Sequence, residues 1–414
     1  MHDAVPVDRG GTLERALKST VGSDEMIPRD AGSDPLDEGV REGARDPIQV
    51  LFANNYDMAR ARAGWRAGTY PAHHLYGTAQ LGSEFDVVDL PFSTDDRLAR
   101  AMELTRGKLG NIGHQVAAAR LRRPGSVVYG AAAQELRSLA VLRAARLFST
   151  PIVGIFHSAP SRRMSRGFAL RGFDHVIALS QHTRQGLEHG GIPPERITVL
   201  GWGADLAFSG FAPREPAATD APVVAAGKTG RDMRTLLEAL RATGLPARIY
   251  GDRGELGHTG PIPADVVVRP VSSNDSSSAP LKYDEAVLAD LRSAAVVAIP
   301  LLSPDWLTGL TEVVDVLACG RPMILTRAPY FDFDIEQIGC GWWVEPGDVR
   351  GWSERLTAAL SDRDRLDQMG RAGRAWAEQH LNADLFTAGL RRVLLDTVGR
   401  GSSTVPLRSD DARG

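Results

Sequence analysis

The chain has 414 residues and a formal net charge of −3. That length implies two or three domains with large cores, and the near-neutral charge gives no global footprint for nucleic acid. No apolar run reaches the ~18 residues of a membrane span, and the two cysteines, Cys319 and Cys340, lack metal-ligand spacing, which fits a reduced, cytoplasmic-type protein.

Residues 1–46 are rich in Gly, Asp, Glu and Arg and poor in aromatics, the composition of a disordered leader. From residue 47 to about 210, apolar strands alternate with helical patterns; strands are expected at 49–53, 86–90, 126–129, 152–157, 175–179 and 198–201. That alternation predicts a Rossmann-like α/β unit with a parallel sheet. The loop after the first strand ends in Gly68-Thr69-Tyr70-Pro71 followed by His73 and His74. Its length and its Gly, Trp and Tyr content suit a cover over a pocket, with Gly68, Tyr70 and His74 as acceptor contacts. Two adjacent histidines share no face, so they make a poor joint metal site.

His157 closes the fourth strand. A histidine at the carboxyl end of a buried parallel strand points into the ligand crevice of such folds, where it can bond a sugar hydroxyl or act as a base. After it come Arg162, Arg163, Arg166 and Arg171 with Met164, Phe168 and Leu170. This basic segment suits an acidic acceptor, with Arg162 and Arg163 as contacts, or an anionic membrane surface; a solvated helix face is the plainer reading.

A Pro- and Ala-rich linker, 208–222, leads to a second series spanning 211–380, with strands expected at 223–226, 247–250, 266–268, 296–300, 322–326 and 342–344. The turn Gly227-Lys228-Thr229-Gly230-Arg231 follows the first of these. It is not a Walker A loop, since Pro222 stands where the first glycine would be. It presents Lys228 and Arg231, two cations able to neutralise a leaving diphosphate. After the strand at 296–300, a helix over 310–319 begins in the Gly309-Leu310-Thr311 loop, so its unpaired amides and positive dipole end suit a phosphate. Thr311 and Asp315 are four residues apart and share a face, the hydroxyl for a phosphate and the carboxylate for a ribose. Helical patterns at 350–360, 364–379 and 383–396 close the chain, and 399–414 reads as a loose tail.

The segments HVIALSQHTRQGL (175–187), IPPERITVLGWGADLAF (192–208), AAGKTGRD (225–232), GLTEVVDVLACGRPMI (309–324) and VEPGD (344–348) resemble, in that order, a GT-B glycosyltransferase. The similarity is greatest to glycosyltransferase family 4 and its group 1 relatives, and it runs from residue 48 to about 394. The resemblance implies two Rossmann-like domains facing across a cleft, 47–210 for the acceptor and 211–380 for the donor, with a last helix, 381–398, crossing back onto the first. It implies a metal-independent, cofactor-free, retaining transfer of a hexosyl or related sugar from a UDP- or GDP-sugar to a glycan, lipid-linked or small-molecule acceptor; the basic segment after His157 leaves open a cytoplasmic protein with peripheral contact at the inner membrane surface. By position, Lys228 and Arg231 match the diphosphate-binding pair, Asp315 the second glutamate of the E-x(7)-E motif that binds ribose, and His157 the histidine near the donor sugar. Gly227, Thr229, Gly309, Leu310, Thr311 and Glu312 line the same donor site. Leu307 stands where the first glutamate would fall, leaving Asp305 or Glu312 to substitute. If the reaction inverts, His157 is the base; if it retains, His157 is a sugar ligand. A nucleotide-sugar epimerase and a non-catalytic nucleotide-binding relative are the alternatives.

Overall fold

A computed structural model describes residues 46–92, 106–160, 168–209, 221–227, 230–251, 261–270, 283–302 and 307–402. The expected leader up to residue 45, most of the linker, and Arg162, Arg163, Arg166, Lys228, Thr229 and Asp305 lie outside the described residues, as does the tail beyond 402.

Among the described residues, short runs rich in Val, Ile and Leu, the central ones buried on both faces, make twelve parallel strands in two sheets. The first sheet comprises β1 (Ile48–Ala53), β2 (Phe85–Asp89), β3 (Val127–Gly130), β4 (Ile152–Phe156), β5 (His175–Ala178) and β6 (Ile197–Val199), in the order β2-β1-β3-β4-β5-β6. The second comprises β7 (Val223–Ala225), β8 (Ala247–Tyr250), β9 (Val266–Arg269), β10 (Val296–Ile299), β11 (Met323–Thr326) and β12 (Gly341–Val344), ordered β12-β11-β10-β7-β8-β9. All the expected strands are present, displaced at their ends by a residue or two. Strand order reverses between β1 and β3 and again between β7 and β10, and ligands of open α/β sheets bind in the crevice such a reversal leaves beyond the strand ends.

Helices join the strands: α1 (Met58–Arg66), α2 (Ile112–Leu121), α3 (Arg137–Ala144), α4 (Gln181–His189) and α5 (Leu206–Ser209) in the first half, then α6 (Met233–Thr243), α7 (Glu285–Ser293), α8 (Leu310–Ala318), α9 (Ile335–Ile338), α10 (Val349–Ser361), α11 (Arg363–His380) and α12 (Ala383–Ser402). Many begin at a residue whose side chain accepts from the first turn: Asp57, Asn111, Ser180, Asp232, Asp284 and Asp348 do so for α1, α2, α4, α6, α7 and α10. Helix α8 differs. It begins at Gly309, which has φ 80° and no side chain with which to cap.

The last helix returns to the first sheet. The Ala383 amide donates to the Ala204 carbonyl at 2.9 Å, Gln80 Nε2 donates to Asp384 Oδ1 at 2.9 Å, and Arg391 bonds Glu84. Gly203 lies so close to Asn382 that a Cβ there would come within 2.1 Å of its amide nitrogen. Cys319 and Cys340 are buried free thiols, and burial pushes each up to about 12. Among the described residues no helix is long and apolar enough to cross a membrane.

Candidate functional site

The glycine turn after β7 and the start of α8 after β10 lie side by side, because β7 and β10 are hydrogen-bonded neighbours. They do not face one another from opposite sheets. The Leu302 amide donates to the Gly230 carbonyl at 2.9 Å, and the Asp232 amide donates to the Pro300 carbonyl at 3.1 Å. Gly227 and Gly230 have φ of 111° and 66°, a region closed to most side chains. Across this turn Arg231 folds back over Gly227, where a Cβ would stand 2.4 Å from Nη2.

Arg231 Nε and Nη2 donate to Glu312 Oε2 at 3.2 and 3.1 Å, and Glu312 Oε1 accepts from the Ala226 amide at 2.8 Å. Both side chains are under a tenth exposed. Burial raises the Glu312 carboxyl to about 7, against the pull of Arg231 and the Ala226 amide toward ionisation. The carboxylate therefore ties the end of β7 to the first turn of α8 and orients Arg231. Its oxygens are engaged in this way, whereas the sequence offered Glu312 as a replacement sugar ligand. Leu307, at the position of the first motif glutamate, is a partly buried side chain packed on the apolar core.

Leu310 is buried, so it can offer a ligand only backbone, while Thr311 is exposed at the helix start. Asp315, one turn on, is 3% exposed. The Tyr283 hydroxyl bonds its carboxylate, and His73 Nε2 lies 3.7 Å from Oδ1. Burial raises Asp315 to about 7. Thr311 and Asp315 thus differ in access although their spacing puts them on one side of the helix, because Tyr283 covers Asp315.

The first sheet presents a neutral, aromatic edge. His157 Nε2 is 2.8 Å from the Ala131 carbonyl oxygen; since that oxygen can only accept, Nε2 carries the proton and Nδ1 the lone pair of the neutral ring. Burial lowers the pKa of His157. Its ring meets Tyr76 edge-on at 5.8 Å. Tyr70 is buried, with its hydroxyl 3.3 Å from His74 Nδ1, and burial lowers His74 to about 4. His73 is fixed in the same manner. Its Nδ1 accepts from the Asp205 amide at 3.0 Å, which leaves the proton on Nε2 toward Asp315, and its carbonyl accepts from Trp202 Nε1 at 2.9 Å.

Contacts across the cleft involve residues that the sequence reading passed over. The Tyr283 amide donates to the Thr69 carbonyl at 2.8 Å. Asp332 accepts from the Gln181 amide, at 3.0 Å through Oδ1 and 2.7 Å through Oδ2, and so sits at the N-terminus of α4. Trp202 had a visible signal in the GWGADL segment. Tyr283 and Asp332 had none, being single side chains outside any strand or helix pattern. Gly68 and Tyr70 also line an open groove of about 490 Å³ with Trp65, Phe208, Tyr283 and Arg292.

The sequence model described as Glycosyltransferase Family 4 matches residues 116–208. No curated protein matches the chain. Among solved structures, Anabaena Alr3699/HepE in complex with UDP is similar at 15% identity and a TM-score of 0.54, covering 84% of this chain and 100% of its own. Sucrose-phosphate synthase from Thermosynechococcus elongatus is similar at 14% identity and a TM-score of 0.58, with 86% and 100% covered. A glycosyltransferase from Rickettsia africae ESF-5 is similar at 12% identity and 0.54, with 86% and 99% covered. Two parallel six-stranded sheets joined by a returning helix have the GT-B fold, and within that fold residues 116–208 carry the pattern of glycosyltransferase family 4.

Proposed function

We propose that the chain is a glycosyltransferase that moves a hexosyl or related sugar from a UDP- or GDP-sugar, held by the second sheet, to an acceptor on the first, without a metal. The observation that carries this reading is the pairing of the glycine turn and Arg231 with the uncapped start of α8 at the strand-order reversal. The turn allows close backbone approach, Arg231 supplies a fixed cation, and the helix start supplies amides and a positive dipole end, the elements that stabilise a leaving diphosphate. Structures of HepE holding UDP, and UDP with glucose, support a nucleotide-sugar donor. Lys228 belongs to this site in the proposal. For Asp315 to take ribose hydroxyls, Tyr283 must move off it.

On the acceptor side, His157 brings the Nδ1 lone pair of a neutral imidazole, suited to accept a proton in an inverting transfer or a hydrogen bond from a sugar hydroxyl in a retaining one. The acceptor is a glycan, a lipid-linked sugar or a small molecule, and the protein works in the cytoplasm with peripheral contact at the inner membrane surface.

The test is incubation of the purified protein with UDP-, GDP- and dTDP-sugars, alone and with cell extract, following free nucleoside diphosphate and labelled product. Extract-dependent release of UDP or GDP with labelled product is expected. Donor conversion without acceptor would make it an epimerase, and tight nucleotide binding without release a non-catalytic relative.

A further inference from the structure

Helices α2 and α3 pack on the same face of the first sheet through Ala118, Leu139 and Ala140, with Leu136 just before α3. Their outer sides are unusual in two respects. Seven of the ten large hydrophobic side chains found exposed among the described residues fall between 109 and 168, and five of them belong to this pair: Val116, Leu121, Val141, Leu142 and, just past the end of α3, Leu147. Leu147 is 75% exposed. Scattered exposed leucines need no explanation, but a cluster on adjacent helices does.

The second respect is charge. From 112 to 147 the chain carries Arg120, Arg122, Arg123, Arg137, Arg143 and Arg146 and one acid, Glu135, which is buried and paired with Arg106. Asp86 and Asp174 pair with Arg123 and Arg143, while Arg120 and Arg146 have no carboxylate partner among the described residues. The Arg122 guanidinium lies over Phe148 and bonds Ser149, which draws the C-terminal ends of the two helices into one surface. In a chain of net charge −3 this positive face is local.

We infer that the outer face of α2 and α3 docks on an anionic lipid bilayer, with the leucines and valines entering the interface and the arginines contacting lipid phosphates. Aliphatic side chains interleaved with cations gain free energy from both acyl chains and headgroups. A nucleic acid would gain nothing from the leucines. A second copy of the chain joined through this face would set arginines against arginines. The inference rests on the peripheral contact in the proposed function and gives it a surface different from the 162–171 segment. Its test does not depend on sugar transfer.

The experiment is co-sedimentation of the full chain with vesicles of phosphatidylcholine alone and of phosphatidylcholine with phosphatidylglycerol, at low and high salt, with heparin as a soluble polyanion. Expected is binding to the anionic vesicles alone, weakened by salt. Arg120→Gln with Arg146→Gln, and separately Leu142→Ser with Leu147→Ser, should each weaken it about tenfold or more. All four side chains are at the surface, so an unchanged circular dichroism spectrum and melting point are expected. Failure of the unaltered protein to bind anionic vesicles overturns the inference. So does loss with the arginine pair alone while the leucine pair binds normally, an outcome that assigns the face to a soluble polyanion, as would heparin binding that the leucine changes leave intact.

Discussion

The two edges that meet at the cleft are built from different chemistry. The second sheet offers glycines at positive φ, an uncapped helix start and a buried ion pair, Arg231–Glu312. The first offers histidines held neutral by burial and the rings of Tyr70, Tyr76 and Trp202. Polyanionic ligands favour fixed cations and amides, whereas sugar rings favour aromatic faces and neutral hydrogen-bonding groups. Under the proposed function, the contrast assigns charge stabilisation to one side and proton handling to the other.

The largest effect should come from breaking the ionic edge. Arg231→Ala removes the cation proposed for the diphosphate and leaves Glu312 buried without its partner, which costs about 3–5 kcal/mol. Urea unfolding should show that loss, and donor turnover in the surviving folded protein should fall ~10²–10³-fold. If Arg231→Ala unfolds at the same urea concentration as the unaltered protein, the pair is not what holds this edge.

His157→Ala tests the neutral edge. Turnover should fall about 10²-fold or more while the affinity for UDP or GDP, measured by calorimetry, stays the same. Equal losses in nucleotide affinity would erase the division between the halves. Gly309→Ala is smaller in scale. At φ 80° a side chain is strained, and its Cβ would lie 2.9 Å from Leu301 Cδ2, so a loss of about 1–2 kcal/mol in stability is expected, with weaker nucleotide binding.

The subtlest test concerns pH. Asp315 is raised to about 7 when folded and has a usual carboxyl value near 4 when unfolded. Between these values the folded state holds the extra proton, so this group's contribution to stability is fully present below about 4 and lost as pH rises through about 7. Asp315→Asn should therefore flatten the fall in melting temperature across that window. An unchanged slope would show that Asp315 is ionised under Tyr283.

Much of the fold is legible because a buried parallel strand leaves a local record. Runs such as Val296–Ile299, β-branched and bounded by turn residues, declare themselves without their neighbours. The start of α8 is equally plain, since a glycine before an amphipathic run needs no tertiary context. The Arg231–Glu312 pair is different. The partners are 81 residues apart and meet because β10 inserts beside β7, an order no periodicity encodes. Likewise, Asp315 reads as an open ligand until Tyr283 and His73 arrive from two other segments.

The returning helix α12 also has a consequence for synthesis. The first sheet emerges from the ribosome with Gly203 and Ala204 still lacking Asn382 and Ala383, and with Gln80 and Glu84 still lacking Asp384 and Arg391. The half made first is therefore completed only when residues 382–391 have been released, and until then it stays open to chaperones or aggregation.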